Sequence, residues 1–196
     1  MLIWQEAEHL RWETVRQRLR LTAPQDPKTG AAHRRLWLWV IPVILVSVAW
    51  DIALVPLVQD LWLSLFPFLA EPPGYNFAMI FESPEIMQRL VGAWWFLGLF
   101  FVSSVFNILG EELLFRGVLL PRMQGVFGKG NWVANGVLFG LYHVHQPWGM
   151  AGNIVGGAIL AYPSWHYRST WLGIIVHSVQ NVFFGFLILG VVLGLA

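Results

Sequence analysis

Residues 91–122, VGAWWFLGLFFVSSVFNILGEELLFRGVLLPR, are a long and mostly apolar stretch that decides the fold class. About 20 consecutive apolar residues are enough for a helix to cross the hydrocarbon core of a bilayer. Two adjacent glutamates, Glu111 and Glu112, lie inside this run. An ionisable side chain within a membrane is energetically expensive, so its default interpretation is a functional site. The stretch therefore predicts a membrane-spanning helix that carries part of a site.

The composition of the whole chain also indicates a membrane protein. The 196 residues are 57% hydrophobic and only 12% charged, with a mean hydropathy of +0.59. Because a soluble domain carries about 25% charged residues, this chain cannot cover a water-exposed surface. Composition thus excludes a soluble enzyme and a disordered chain, and the net charge of +1 argues against a nucleic-acid partner. The absence of cysteine excludes disulfides and thiolate chemistry.

Other apolar stretches extend this prediction to an all-α, polytopic bundle of about five to six membrane segments. A first span, interrupted by Pro42, Asp51 and Pro56, is expected to be kinked, and a short stretch after it is expected to be re-entrant or interfacial. Small residues four apart, Gly136/Gly140 and Gly152/Gly156, let helices approach closely. The predicted segments are 36–58, 61–69 (re-entrant), 91–122, 131–147, 149–165 and 171–195.

Basic residues concentrate at the N-terminus, where residues 1–35 hold seven of the twelve. Since basic residues favour the cytoplasmic side, residues 1–35 are expected to be a cytoplasmic segment preceding a transmembrane domain over 36–196. Residues 2–20 form either a short cytosolic helix or a helix lying on the membrane surface. The same rule puts the connections 122–130 and 166–170 on the cytoplasmic side. Residues 71–89, which begin with the loop-like stretch 71–84, and residues 147–149 are then expected outside.

The two glutamates differ in their partners. Glu112 and Arg116 are four residues apart with the acid first, so they can neutralise each other on one helix face. Glu111 is rotated by about 100° from Glu112 and has no such partner in its own helix. Glu111 is therefore the functional candidate, and the Glu112–Arg116 pair has a mainly structural interpretation.

Two further polar groups lie in apolar stretches downstream. His143 follows Phe139 by one helical turn, and His177 shares a helix face with Asn181, whereas Ser178 and Gln180 are expected to point elsewhere. At about 1.5 Å per residue, Glu111, His143 and His177 lie about 16, 18 and 9 Å from the cytoplasmic ends of their helices. These depths allow the three side chains to meet.

The order and spacing of these residues resemble the motif series of the CPBP family of CAAX prenyl proteases and bacteriocin-processing enzymes, also called the Abi family. The resemblance extends over roughly residues 90–190. It is carried by three motifs: Glu111-Glu112-x-x-x-Arg116, Phe139-x-x-x-His143 and His177-x-x-x-Asn181.

What the resemblance implies is a glutamate-dependent intramembrane endopeptidase acting on a membrane-associated peptide or protein, prenylated substrates being one class. In that interpretation Glu111 and His143 activate the attacking water, and His177 and Asn181 stabilise the oxyanion. The supporting residues are Glu112, Arg116 and Phe139. The partners expected are this substrate and the lipid bilayer, with no nucleic acid and no cofactor.

Two alternatives stay open at the level of sequence. In a zinc peptidase, Glu111, His143 and His177 would supply one carboxylate and two imidazoles, although no H-E-x-x-H motif and no two histidines four apart occur. In the second alternative, the chain is a non-enzymatic membrane protein that confers immunity or binds a peptide, because fold analogy alone does not establish activity.

Overall fold

The computed structural model describes residues 11–75 and 79–195, and these residues form eight helices and no β-strand. Three of the helices are long and apolar enough to cross a membrane. The predicted all-α helical bundle is confirmed. In chain order the helices are α1 (Trp12–Arg18), α2 (Arg34–Leu65), α3 (Met79–Glu82), α4 (Pro84–Leu90), α5 (Trp94–Arg122), α6 (Asn131–Tyr142), α7 (Met150–His166) and α8 (Thr170–Val192).

The three membrane-length helices are α2, α5 and α8. Helices α5 and α8 agree with the predicted spans over 91–122 and 171–195. Helix α6 has 12 residues and α7 has 17, which makes them about 18 and 26 Å long. They are joined by two 3₁₀ turns, His143–His145 and Pro147–Gly149, where the sequence predicted a continuous helix up to residue 147.

Helix α2 differs from its prediction in extent and in winding. It continues for 32 residues to Leu65, so the separate re-entrant stretch expected over 61–69 is wrong; only Pro67–Leu69 forms a 3₁₀ turn of its own. The segment Trp50–Leu54 is wound as a π-helix just before Pro56. Because proline has no N–H to donate to the preceding turn, a local change of winding accommodates it without ending the helix.

Two other predictions concern segments outside the long helices. The stretch 71–84, expected to be a loop, contains the four-residue helix α3. The helix predicted over 2–20 lies partly outside the described residues, because residues 1–10 are not among them. Its described part contains α1.

The chain that follows α1 packs on the corner between α7 and α8. The backbone N–H and the hydroxyl of Thr170 donate to the carbonyls of Arg20 and Leu19 at 2.9 and 2.7 Å. The hydroxyl of Ser169 donates to the carbonyl of Thr22 at 2.6 Å. These bonds attach the basic N-terminal segment to the 166–170 connection, on the same side of the bundle.

Helices α6 and α7 pack closely because glycines remove the side chains between them. A Cβ on Gly136 would lie 2.6 Å from the carbonyl oxygen of Ile154, and one on Gly140 would lie 3.0 Å from the carbonyl oxygen of Met150. The predicted role of this pair is confirmed. Gly152 and Gly156 face α2 instead, at ordinary contact distances.

Candidate active site

A polar cavity of about 270 Å³ lies between α2, α5, α7, α8 and the turn that follows α6. Glu111, His143 and His177, whose depths along their helices allowed them to meet, all line this cavity. Five further polar residues line it as well. The polar lining consists of Ser47 and Asp51 from α2, Asn107 and Glu111 from α5, His143, Asn153 from α7, and His177 and Gln180 from α8.

Glu111 is buried at the wall of this cavity, with 6% of its surface exposed. The Nδ2 group of Asn107, one helical turn earlier, donates a hydrogen bond of 2.9 Å to Glu111 Oε1. The Nε2 atom of His143 lies 3.7 Å from the same oxygen. That separation is too long for a direct hydrogen bond, and it leaves room for a water that contacts both groups.

His143 owes its position to the end of α6. The helix ends at Tyr142 and changes to a 3₁₀ turn, so His143 does not continue the apolar helix in which the sequence placed it. Its Nδ1 atom lies 2.8 Å from the carbonyl oxygen of Phe139. Since a carbonyl can only accept, Nδ1 carries the proton, and in the neutral ring the lone pair of Nε2 faces Glu111.

Glu112 forms a second, fully buried cluster behind Glu111. Its Oε1 atom lies 3.2 Å from Nη1 of Arg116, which confirms the predicted i,i+4 pair. The same oxygen lies 3.0 Å from Nδ1 of His177. The sequence had grouped His177 with Asn181 only, so this connection between α5 and α8 is a new feature of the site.

Arg116 has further contacts that hold the cluster in place. Its Nη2 donates a hydrogen bond of 2.8 Å to the carbonyl of Gly157 on α7, and its guanidinium stacks on the ring of Phe139, 4.7 Å from the ring centroid. Phe139 therefore packs against Arg116 and also lines the cavity. A π-helical segment, Leu113–Leu119, contains Arg116, and windings of this kind are frequent at functional sites.

The two amides of α8 differ from expectation. Gln180 lines the cavity, and its Nε2 donates to Oγ of Ser47 at 3.3 Å and also to Oδ2 of Asp51. The prediction that Gln180 points elsewhere is wrong. Asn181 is not part of the cavity wall, and its Nδ2 donates to the carbonyl of His177 at 3.3 Å. The contact between Asp51 and Gln180 could not be predicted from sequence, because the two residues are 129 positions apart.

Two apolar grooves flank the site on either side of α8. A groove of about 670 Å³ between α2 and α8 includes Val48, Ile52 and Phe183, and it shares three residues with the polar cavity: Asp51, His177 and Gln180. A groove of about 630 Å³ between α5 and α8 includes Val105 and shares no residue with the cavity. The first groove is therefore continuous with the site.

Within residues 11–75 and 79–195, no group of three His, Asp or Glu side chains lies close enough together to hold a metal ion. Glu111 faces His143, while His177 faces Glu112, so the three ligands of the zinc alternative do not converge on one point.

Residues 93–183 match the family model described as type II CAAX prenyl endopeptidase, Rce1-like. The match includes all three motifs and confirms the resemblance found in the sequence. A search of curated proteins found no match, and a search of solved structures found none.

Proposed function

We propose, starting from the Rce1-like match of residues 93–183, that this membrane protein is an intramembrane endopeptidase that uses a water activated by Glu111 and His143. The observation that carries the proposal is the 3.7 Å separation of Glu111 Oε1 and His143 Nε2 at the wall of a polar cavity. A water that donates one hydrogen to each of these atoms has its oxygen lone pairs free for attack.

The reaction then needs one water and one peptide bond. The water oxygen forms a bond to the scissile carbonyl carbon while its proton moves to the Glu111–His143 pair. The C–N bond then breaks, and the same pair returns the proton to the leaving amine nitrogen. General-base catalysis of this kind contributes about 100- to 10,000-fold to the rate.

The developing oxyanion requires hydrogen-bond donors, and His177 and Asn181 are proposed for this role. His177 bonds Glu112 through Nδ1, which leaves Nε2 for the cavity. Nε2 can donate when it carries a proton, and the contact of Nδ1 with Glu112 fixes the orientation of the ring. Asn181 must exchange its bond to the carbonyl of its own helix for one to the substrate.

Glu112, Arg116 and Phe139 are proposed as positioning residues. The Arg116 guanidinium joins the carboxylate of Glu112 to the carbonyl of Gly157, so α5 and α7 cannot move apart without exposing a buried charge. No cofactor is proposed, since a carboxylate and an imidazole suffice for the proton transfers.

The substrate is proposed to be a membrane-associated or prenylated chain that reaches the cavity along the groove between α2 and α8. Apolar side chains line that groove, and Asp51 and Gln180 lie where it joins the cavity. A lipid chain or an apolar peptide segment that enters from water would gain about 0.8 kcal/mol for each methylene that it buries there.

A multi-pass topology with a cytoplasmic N-terminus is part of the proposal. It is supported by the attachment of the basic N-terminal segment to the 166–170 connection, which carries Arg168. Basic residues of both segments thus lie on one side of the bundle, the pattern expected of a cytoplasmic face.

The test is cleavage of a panel of membrane-tethered and prenylated peptides by the purified full chain. Glu111→Gln and His143→Ala are each compared with unmodified protein, with and without a chelator. His145→Ala is the matched control, because His145 is exposed and stacks on His143 at 5.6 Å without facing Glu111. We expect both site variants to lose at least 100-fold in kcat and the control to retain activity.

The other outcomes separate the alternatives. Cleavage that a chelator abolishes and zinc restores would support the metal peptidase. Unchanged cleavage by Glu111→Gln would end the proposal. Binding of a panel peptide without cleavage by the unmodified protein would support the peptide-binding alternative.

A further inference from the structure

A cleft of about 480 Å³ lies on the side of the bundle where the N-terminal segment is attached. It shares no lining residue with the Glu111 cavity. Lys129 and Arg168 line it, one from each of the two connections predicted to be cytoplasmic. Its remaining wall includes the aromatic residues Tyr162 and Trp165, together with His166.

A third cation lies beside this cleft. Arg20 donates from Nη2 to Oε1 of Gln124, a cleft-lining residue, at 3.1 Å. Burial and the nearby charge of Arg168 both lower the pKa of the Arg20 guanidinium. The two arginines are thus held close enough to repel each other.

The backbone holds both arginines in an uncommon conformation. Arg20 and Arg168 have φ angles of 51° and 50°, and they are the only non-glycine residues with positive φ among those the structure describes. Side chains with a Cβ rarely adopt this left-handed region. Both residues lie two positions after the last residue of a helix, α1 and α7, where a left-handed residue commonly ends the helix, so the two helix ends fix where the arginines stand.

No carboxylate compensates these charges within residues 11–75 and 79–195: Arg20, Lys129 and Arg168 form no ion pair there. Asp26, the acid of the neighbouring chain, is engaged in its own turn, where its Oδ1 accepts from the backbone N–H groups of Lys28 and Thr29. Arg20, Lys129 and Arg168 therefore have no carboxylate paired with them among the described residues.

We propose that this cleft binds a phosphate group, through Lys129 and Arg168 at its wall and Arg20 beside it. Guanidinium groups suit phosphate oxygens because they donate two parallel hydrogen bonds. The aromatic wall favours a phospholipid headgroup over a soluble phosphate, since Trp and Tyr are enriched at the level of the headgroups. The bound lipid would anchor the N-terminal segment to the membrane surface.

The test is native mass spectrometry of the detergent-solubilised full chain with phosphatidylglycerol or phosphatidylcholine, each with and without glycerol phosphate. The cleft variant is Lys129→Gln/Arg168→Gln, and the control Arg34→Gln/Arg35→Gln removes the same charge at the exposed start of α2. Each basic residue near an anionic surface contributes about fivefold (about 1 kcal/mol) to binding. We expect the cleft variant to lose about 25-fold in phosphatidylglycerol affinity and the control less than twofold.

Equal losses in the two double variants would overturn the proposal, because they would indicate a diffuse basic surface. Equal retention of the two lipids by unmodified protein would overturn it as well, because three cations at the cleft should repel the quaternary ammonium that phosphatidylcholine carries beside its phosphate. Glycerol phosphate that displaces the lipid would support the phosphate site with a soluble source, and no displacement would support the lipid. Thermal unfolding shows whether the double variant is folded. If it is not, the single variant Lys129→Gln takes its place, because Lys129 lies in an exposed turn.

Discussion

Oε1 of Glu112 lies 3.0 Å from Nδ1 of His177 and 3.2 Å from Nη1 of Arg116, so one carboxylate oxygen contacts both the imidazole and the guanidinium. The three side chains come from α5 and α8 and are almost fully inaccessible to solvent. Helix α8 is thereby fixed against α5 at the level of the site. Of the two adjacent glutamates, Glu112 sets the geometry and Glu111 is left facing the cavity.

Loss of Arg116 is expected to destabilise the protein strongly. Arg116→Met leaves Glu112 with His177 alone and removes the bond to the Gly157 carbonyl. Breaking a buried ion pair costs about 3–5 kcal/mol in the free energy of unfolding. The control is Arg89→Met, which breaks an i,i+4 pair with Glu85 that is about three-quarters exposed and costs at most about 1 kcal/mol. Denaturant titration in mixed micelles measures both, and equal losses would contradict the assignment.

A methyl group on Gly173 is expected to disturb the same cluster. The Cβ of Gly173→Ala would overlap with Oε2 of Glu112, and Ser164 Oγ lies on the other side at 3.1 Å. Overpacking of this kind costs about 1–3 kcal/mol. Gly190→Ala, in the same helix with nothing within 4 Å of its Cβ, is the control and is expected to be neutral. If Gly173→Ala is as stable and as active as Gly190→Ala, the side chain of Glu112 is not held in one position by the cluster.

The route of the substrate can be tested with two matched valines. Val48 and Val105 are similarly exposed, at 39% and 37%, but Val48 lines the groove between α2 and α8 and Val105 the one between α5 and α8. In a Glu111→Gln background, Val48→Trp is expected to raise the Kd of a lipidated peptide about tenfold, since it displaces about two methylenes. Val105→Trp is expected to leave the Kd unchanged, and the reverse pattern would assign the substrate to the other groove.

The role of Asn181 can be separated from that of its neighbour. If Asn181 donates to the oxyanion, Asn181→Ala lowers kcat about 100- to 1000-fold. Stability should change little, because its one hydrogen bond is to its own helix. Gln180→Ala is measured in parallel, since Gln180 lines the cavity. A loss below fivefold in Asn181→Ala together with a large loss in Gln180→Ala would transfer the role to Gln180.

The sequence predicted the helical class and the Glu112–Arg116 pair, because both depend on local spacing. Depth along the helices only allowed Glu111 and His143 to meet, and their pairing was what the family resemblance implied. Asn107 was also within reach of the same reasoning, since it precedes Glu111 by one turn. The exact end of α6 at Tyr142 was not, because the stop signal that the sequence displays, Pro147, comes five residues after the last residue of the helix.

Contacts between distant helices were beyond sequence reasoning. The partner of His177 is 65 residues away, and the partners of Gln180 lie on α2, at the π-helical segment and one turn before it. Their pairing depends on how α2 and α8 pack against each other, which the spacing of residues within either helix does not determine.

The attachment of Thr170 to the carbonyls of Leu19 and Arg20 has a consequence for the site itself. His177 follows Thr170 by seven residues, about 10 Å along α8. The distance between the imidazole and the N-terminal segment is therefore set by a protein contact at the start of α8. That distance would stay the same in two membranes of unequal thickness.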